Sequence, residues 1–183
     1  MSDTENYKFV FSENNKKLKL YIRKFDSEVK ENHAGNKIDL TAYKKLKTIA
    51  ESTFANESDI SEIELPSNLR TIEKEAFKNC RFLKVVQFEG NKKSKLTIQF
   101  NAFKDCEKLD SVIFGTDNSL KKLTIEKGAF EGCTSLRAVY LNSSECKISD
   151  GVFSGAENII LAVKNGSNVE RYARENGIRY VKF

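Results

Sequence analysis

The sequence predicts a β-rich solenoid, a coil of short strands stacked turn on turn, and three observations predict it. First, one phrase recurs five times, apolar-x-x-x-(Ala/Val)-Phe-x-x-(Cys/Ala)-x-x-(Leu/Ile), with its phenylalanines at Phe54, Phe77, Phe103, Phe130 and Phe153 and gaps of 23, 26, 27 and 23 residues. Second, other apolar positions keep register with it. Ile49, Ile72, Ile98, Ile125 and Ile148 stand five residues before the phenylalanines, and Ile60, Leu83, Leu109, Leu136 and Ile159 stand six after. Third, Leu83–Phe88, Leu109–Phe114 and Leu136–Leu141 alternate apolar and other residues, the period of a strand with one buried face. A unit this short cannot bury its own apolar face and has to stack on its neighbours.

A period in the twenties is that of leucine-rich coils. The predicted fold is a right-handed leucine-rich repeat solenoid with two short parallel sheets. One sheet is built from the Leu-x-x-Val-x-Phe/Leu strands, and the other from Leu69–Ile72, Leu96–Ile98 and Leu123–Ile125. The Ala-Phe-x-x-Cys segment between them reads as a tight turn or a single helical turn. The phenylalanines should then lie one above another. In the fifth unit the register slips by one residue, so Leu161 and Val163 take the inward positions.

Residues 1–45 are predicted as an N-terminal cap, 46–163 as about five coils and 164–183 as a C-terminal cap. A solenoid end exposes its core and needs a cover. At the N-terminal end Tyr7, Phe9 and Phe11, then Leu18, Leu20 and Ile22, alternate about the polar link 12–17, which reads as a β-hairpin. Residues 26–37 read as loop, and Ile38–Leu40 with Leu46 as a degenerate first coil. At the other end Ser167 is a candidate N-cap, Val169, Tyr172 and Ala173 fall on one helical face, and Gly177 suits the helix end. Ile178 and Tyr180, with Phe183 as a further candidate, are read as alternating in a last strand.

The 31% of charged residues is high and the 39% of hydrophobic residues moderate, as suits a thin rod with much surface. No apolar run reaches the length of a membrane-spanning helix. The N-terminal Met-Ser-Asp-Thr-Glu-Asn does not follow the basic-then-apolar pattern of a secretory leader, so the expectation is a cytosolic chain, one exported by another route, or one from which a leader has been removed. Cys80, Cys106 and Cys133 occupy one repeat position and are expected as a buried ladder, neither a disulfide framework nor a zinc site. Cys146, in a Ser-Ser-Glu-Cys segment, is read as a loop residue open to exposure and reaction.

The repeats Leu69-Arg-Thr-Ile72…Ala76-Phe77…Cys80…Leu83…Val86…Phe88 and Leu123-Thr-Ile125…Gly128-Ala129-Phe130…Cys133…Leu136…Val139…Leu141, with the junction Leu65-Pro66-Ser67-Asn68-Leu69, resemble the BspA-like leucine-rich repeats. The resemblance covers residues 46–163. It implies a surface or secreted protein of an anaerobic bacterium or mucosal protist, engaged in adhesion to host matrix proteins or cells or in another protein–protein contact.

No catalytic constellation is legible. The single histidine, His33, lies in a polar stretch, no nucleotide-binding or hydrolase motif occurs, and the carboxylates are scattered. The expectation is a non-enzymatic recognition protein without cofactor or metal, monomeric, and without nucleic-acid binding or membrane insertion. On one sheet the outward positions align as Glu62, Val85, Ser111, Ala138 and as Glu64, Gln87, Ile113, Tyr140. Val85, Ile113 and Tyr140 are apolar there, so this face is the expected protein-binding surface, with Tyr140 as anchor. Strand propensity alone accounts for such residues equally well. An alternative is a lysine-rich loop face, Lys92, Lys93, Lys95, Lys121 and Lys122, binding a polyanion such as an acidic glycan. A third reading is a self-assembling scaffold.

Overall fold

The computed structural model describes residues 7–12, 14–23, 36–115 and 119–183. His33 and most of the expected 26–37 loop lie outside these residues, as do the side chains of Tyr7, Leu20 and Ile22. The strands are β1 (Tyr7–Phe11), β2 (Lys17–Arg23), β3 (Asn36–Asp39), β4 (Thr48–Ile49), β5 (Ile60–Leu65), β6 (Thr71–Ile72), β7 (Val85–Phe88), β8 (Lys95–Ile98), β9 (Ser111–Phe114), β10 (Leu120–Ile125), β11 (Ala138–Leu141), β12 (Ser143–Ile148) and β13 (Ile160–Val163). The helix α1 (Asn168–Glu175) and strand β14 (Arg179–Lys182) follow.

From β2 to β13 successive strands alternate between two sheets, and β1 and β14 join those of β2 and β13. The first runs β1-β2-β4-β6-β8-β10-β12 and the second β14-β13-β11-β9-β7-β5-β3. Within the repeats every pairing is parallel, because the chain makes one full coil before it returns beside itself. The exception is β1–β2, an antiparallel hairpin whose second strand pairs in parallel with β4, so it covers the first sheet's end as predicted.

The core is a set of columns, one residue per coil. Phe54, Phe77, Phe103, Phe130 and Phe153 stack with centroids 4.7, 4.8, 5.2 and 5.8 Å apart and planes within 12°. That spacing is the separation of neighbouring strands, so the sheet ladder sets the ring stack. Phe88 and Phe114 form a second short stack at 4.7 Å. The first copy departs from the motif at Glu57 and at Thr53, which is buried and whose hydroxyl donates to the Ala50 carbonyl at 2.8 Å.

The segments around the phenylalanines are tight turns, and they too are cross-bonded. The amide of Phe77 donates to Ala102 O at 2.7 Å and that of Phe103 to Ala129 O at 2.8 Å. The cysteine ladder adds a side-chain bond at each step. The thiols of Cys80, Cys106 and Cys133 donate to the carbonyls of Phe54, Phe77 and Phe103, at 2.9, 3.1 and 3.2 Å. A thiol here fills apolar space and satisfies a buried acceptor, which alanine cannot do.

Two residues before and two after each phenylalanine the backbone turns left-handed. Ser52, Glu75, Asn101, Gly128 and Gly151 hold the first position, and Asn56, Asn79, Asp105, Gly132 and Gly155 the second. At Gly128 and Gly132 space is short as well. A Cβ would fall 2.3 Å from the Asn101 and Asp105 side-chain oxygens of the preceding coil.

At the C-terminal end the Ser167 hydroxyl accepts from the Glu170 amide, capping α1, and Gly177 is left-handed beyond the helix. Val169 and Ala173 are buried, and α1 packs on β12, β13 and β14. The Asn168 side-chain amide donates to Cys146 O and ties the helix to the last strand of the first sheet.

Cys146 corrects an expectation. It is a strand residue of β12, registered on Leu123, which is registered on Leu96. It is buried, and burial pushes its thiol up to about 12. The polar residues Ser144 and Glu145 before it disguise an inward position of the Leu96–Leu123 column.

Candidate recognition faces on the two sheets

Alternation along each strand decides what the outer face carries, and register decides which coils' residues meet. On the second sheet, Glu62, Val85, Ser111, Ala138, Ile160 and Arg179 form one row. The neighbouring row is Glu64, Gln87, Ile113, Tyr140, Ala162 and Val181. The eight residues singled out on this face are therefore adjacent in two rows.

The face is graded from end to end. Near β3 it is acidic, but partly neutralised: Lys37 lies 2.8 Å from Glu64, and Lys44 lies 3.3 Å from Glu89. Hydrogen bonding to Glu64 and its negative charge push the Lys37 ammonium up. The middle is apolar, with Val85, Ile113 and Tyr140 half-buried. The C-terminal end is apolar with Arg179 beside it: Ile160, Val181 and Phe183 are 36%, 55% and 48% exposed, whereas Lys182 is registered on the inward Val163 and pairs with Glu170.

Sequence reasoning missed this C-terminal extension. Once Leu161 and Val163 are read as inward, Ile160 and Ala162 follow as outward, so the signal was present. Phe183, a candidate for the last strand, follows β14, which ends at Lys182. It lies outside, its ring stacked on Tyr140 at 4.6 Å, so one face of the expected anchor is covered from within the chain.

On the first sheet, Lys95 and Lys122 sit side by side in register, in β8 and β10. Lys121 is also in β10, so these three are strand residues and not members of a loop ridge; only Lys92 and Lys93 lie in a turn. All five are exposed. Among the described residues no group of three or more His, Cys, Asp or Glu is placed to hold a metal ion.

The model of the BspA-type leucine-rich repeat region matches residues 5–110 and 31–160, in six copies. This chain belongs to that family. The BspA-type assignment accords with the stacked phenylalanine-and-cysteine turns, which the matched residues contain. No curated protein sequence matches significantly. Among solved structures the chain is similar to the pneumococcal vaccine antigen PcpA, at 17% identity and a TM-score of 0.53, covering 98% of this chain and 48% of that one. It is also similar to a leucine-rich repeat protein from Eubacterium ventriosum, at 19% identity and a TM-score of 0.51, covering 82% of this chain and 50% of that one. The BspA-type chain thus spans about half the length of either structure, and at these identities the likeness is one of fold.

Proposed function

We propose that this BspA-type chain is a non-enzymatic, adhesion-type protein-recognition module whose partner lies on the outer face of the second sheet. The observation that carries this reading is the row Ile113–Tyr140–Ala162–Val181 with Phe183 folded over Tyr140. A solvated sheet face favours polar residues at these positions, and a contiguous apolar strip with charges at both ends has the anatomy of a contact surface. The acidic end and the basic end fix the direction in which a partner lies along the strip.

The test measures binding of the purified chain to a panel of purified matrix and cell-surface proteins by surface plasmon resonance. A protein that binds is then tested against the Ile113→Lys/Tyr140→Lys double variant and against Val85→Lys. Placing a charge in a desolvated contact should weaken binding by on the order of 2–4 kcal/mol, with the thermal midpoint of Val85→Lys unchanged. Undiminished binding by both variants disposes of the face. Light scattering over a concentration series separates this reading from self-assembly: a constant monomer mass supports it, and mass rising with concentration supports the scaffold.

A further inference from the structure

The outer face of the first sheet carries a second pattern, visible only in register. Lys17, Thr48, Thr71, Thr97, Thr124 and Lys147 form one row across six strands. Where each coil enters the sheet, just before that row, stands a cation: Lys16, Lys47, Arg70, Lys95 and Lys122. Backbone bonds tie Lys16 to Lys47 and Lys47 to Arg70, strand register pairs Lys95 with Lys122, and the Arg70 carbonyl accepts the Thr97 amide between the two groups. Lys47 and Thr48 both donate to Lys16 O, and Arg70 and Thr71 both donate to Lys47 O. At about 4.8 Å per strand the five cations span roughly 19 Å.

Like charges opposite one another destabilise a sheet, and a face selected only for solubility alternates sign. The second sheet's side does so, with Lys37 against Glu64, Lys44 against Glu89 and Arg137 against Asp110. The cation row does so only at its far end, where Glu145 stands in register beside Lys122. Among the described residues Lys16, Lys47, Arg70 and Lys95 have no carboxylate within salt-bridge distance, and Lys122 meets Glu145 only at 3.9 Å. Acidic residues beyond the threonines are committed elsewhere. Glu73 pairs with Lys17 at 2.6 Å, and Glu126 accepts the Phe100 amide at 3.1 Å. Lys47 registers the crowding: burial first, then the charges of Arg70 and Lys16, push its ammonium below the ordinary lysine value.

We propose that this cation row and the threonine row beside it form a track for an extended acidic polysaccharide, sulfated or carboxylated. The cations meet its anionic groups at each coil, and the four threonine hydroxyls offer donors and acceptors to sugar hydroxyls. A single-stranded nucleic acid would be met by aromatic side chains between the cations, and neither row contains one. The track lies on the opposite sheet from the proposed protein-binding strip and is independent of it.

The experiment is calorimetric titration of the full chain with heparin, repeated at several salt concentrations. Heparin should bind, and affinity should fall steeply with salt. The quadruple variant Lys47→Gln/Arg70→Gln/Lys95→Gln/Lys122→Gln should lose at least tenfold in affinity, and its log K against log salt should be shallower by about 3. Removing mutual repulsion should leave its thermal midpoint equal or higher. A control with the same charge removed elsewhere, Lys84→Gln/Lys108→Gln/Arg137→Gln/Lys164→Gln, should keep most of the affinity. Absence of heparin binding at 150 mM salt, equal losses in the two variants, or tighter binding of a single-stranded oligonucleotide of matched charge would each overturn the proposal.

Discussion

The ring of Phe183 lies on the ring of Tyr140, 4.6 Å between centroids and 26° between planes, although strand β13 runs between the strands that carry them. The crossing is open because the β13 residue in that row is Ala162, registered between Tyr140 and Val181. Replacing Phe183 with alanine should lower stability by about 1 kcal/mol, the worth of an aromatic pair on a surface of this kind. It should also change tyrosine emission, which is readable because the chain has no tryptophan. Ala162→Leu should separate the rings and give the same change. Unaltered emission in both variants would mean that the stack is not populated in solution.

The phenylalanine column should be most sensitive at its centre. Phe103 is fully buried between two rings, whereas Phe153 closes the stack and keeps some exposure. Phe103→Ala should destabilise by about 3–5 kcal/mol, and Phe153→Ala by distinctly less. Denaturant melts would show it. Equal losses would contradict a column whose members are held from both sides.

All four cysteines are buried and unpaired. With the Cys146 thiol pushed to about 12, and burial pushing that of Cys106 well above its usual value, thiolate is scarce at neutral pH. A thiol reagent at pH 8 should label none of them in the native chain and four in denaturant. Rapid labelling of one thiol in the native state would show Cys146 exposed after all.

Glu170 ties the C-terminal cap together. Its carboxylate meets Lys182 at 2.8 Å and accepts the Gly166 amide at 2.7 Å. Lys182 first and then that amide hold its carboxyl below the ordinary glutamate value. The stabilisation is therefore present above the unfolded pKa of about 4.3 and lost as pH falls through the folded value. Acidification below about pH 4 should shift the Gly166 amide resonance and loosen α1. Glu170→Gln should abolish that pH response, and an unchanged titration of the Gly166 amide in the variant would refute the link.

Most of the fold was legible because in a stacked coil contacts follow the repeat. A residue's neighbours are its equivalents one period away, so Phe54 to Phe153 declare their own column and Leu83, Leu109 and Leu136 theirs. The rows Glu62–Ala138 and Glu64–Tyr140 could be written down for the same reason, and Ser167 and Gly177 announced the ends of α1 by cap chemistry. Where single-residue offsets enter, the reasoning fails. Cys146 looked like a loop residue because the two residues before it are polar, and Phe183 was placed by alternation in a strand that ends at Lys182.

The sequence by itself determined the coil, the two sheets, the buried columns and the middle of the second sheet's outer face, since period and alternation are local properties that stacking repeats. Only the tertiary structure decided how copies of unequal length align. It kept Thr71 opposite Thr97, with the Thr97 amide on the Arg70 carbonyl, although the two coils differ in length, and it carried Phe183 across Ala162 to Tyr140. Where the backbone enters a strand it adjusts to the preceding coil, one carbonyl accepting two amides at Lys16, Lys47 and Ser94. That adjustment depends on the neighbouring coil and leaves no mark in the pattern of residues.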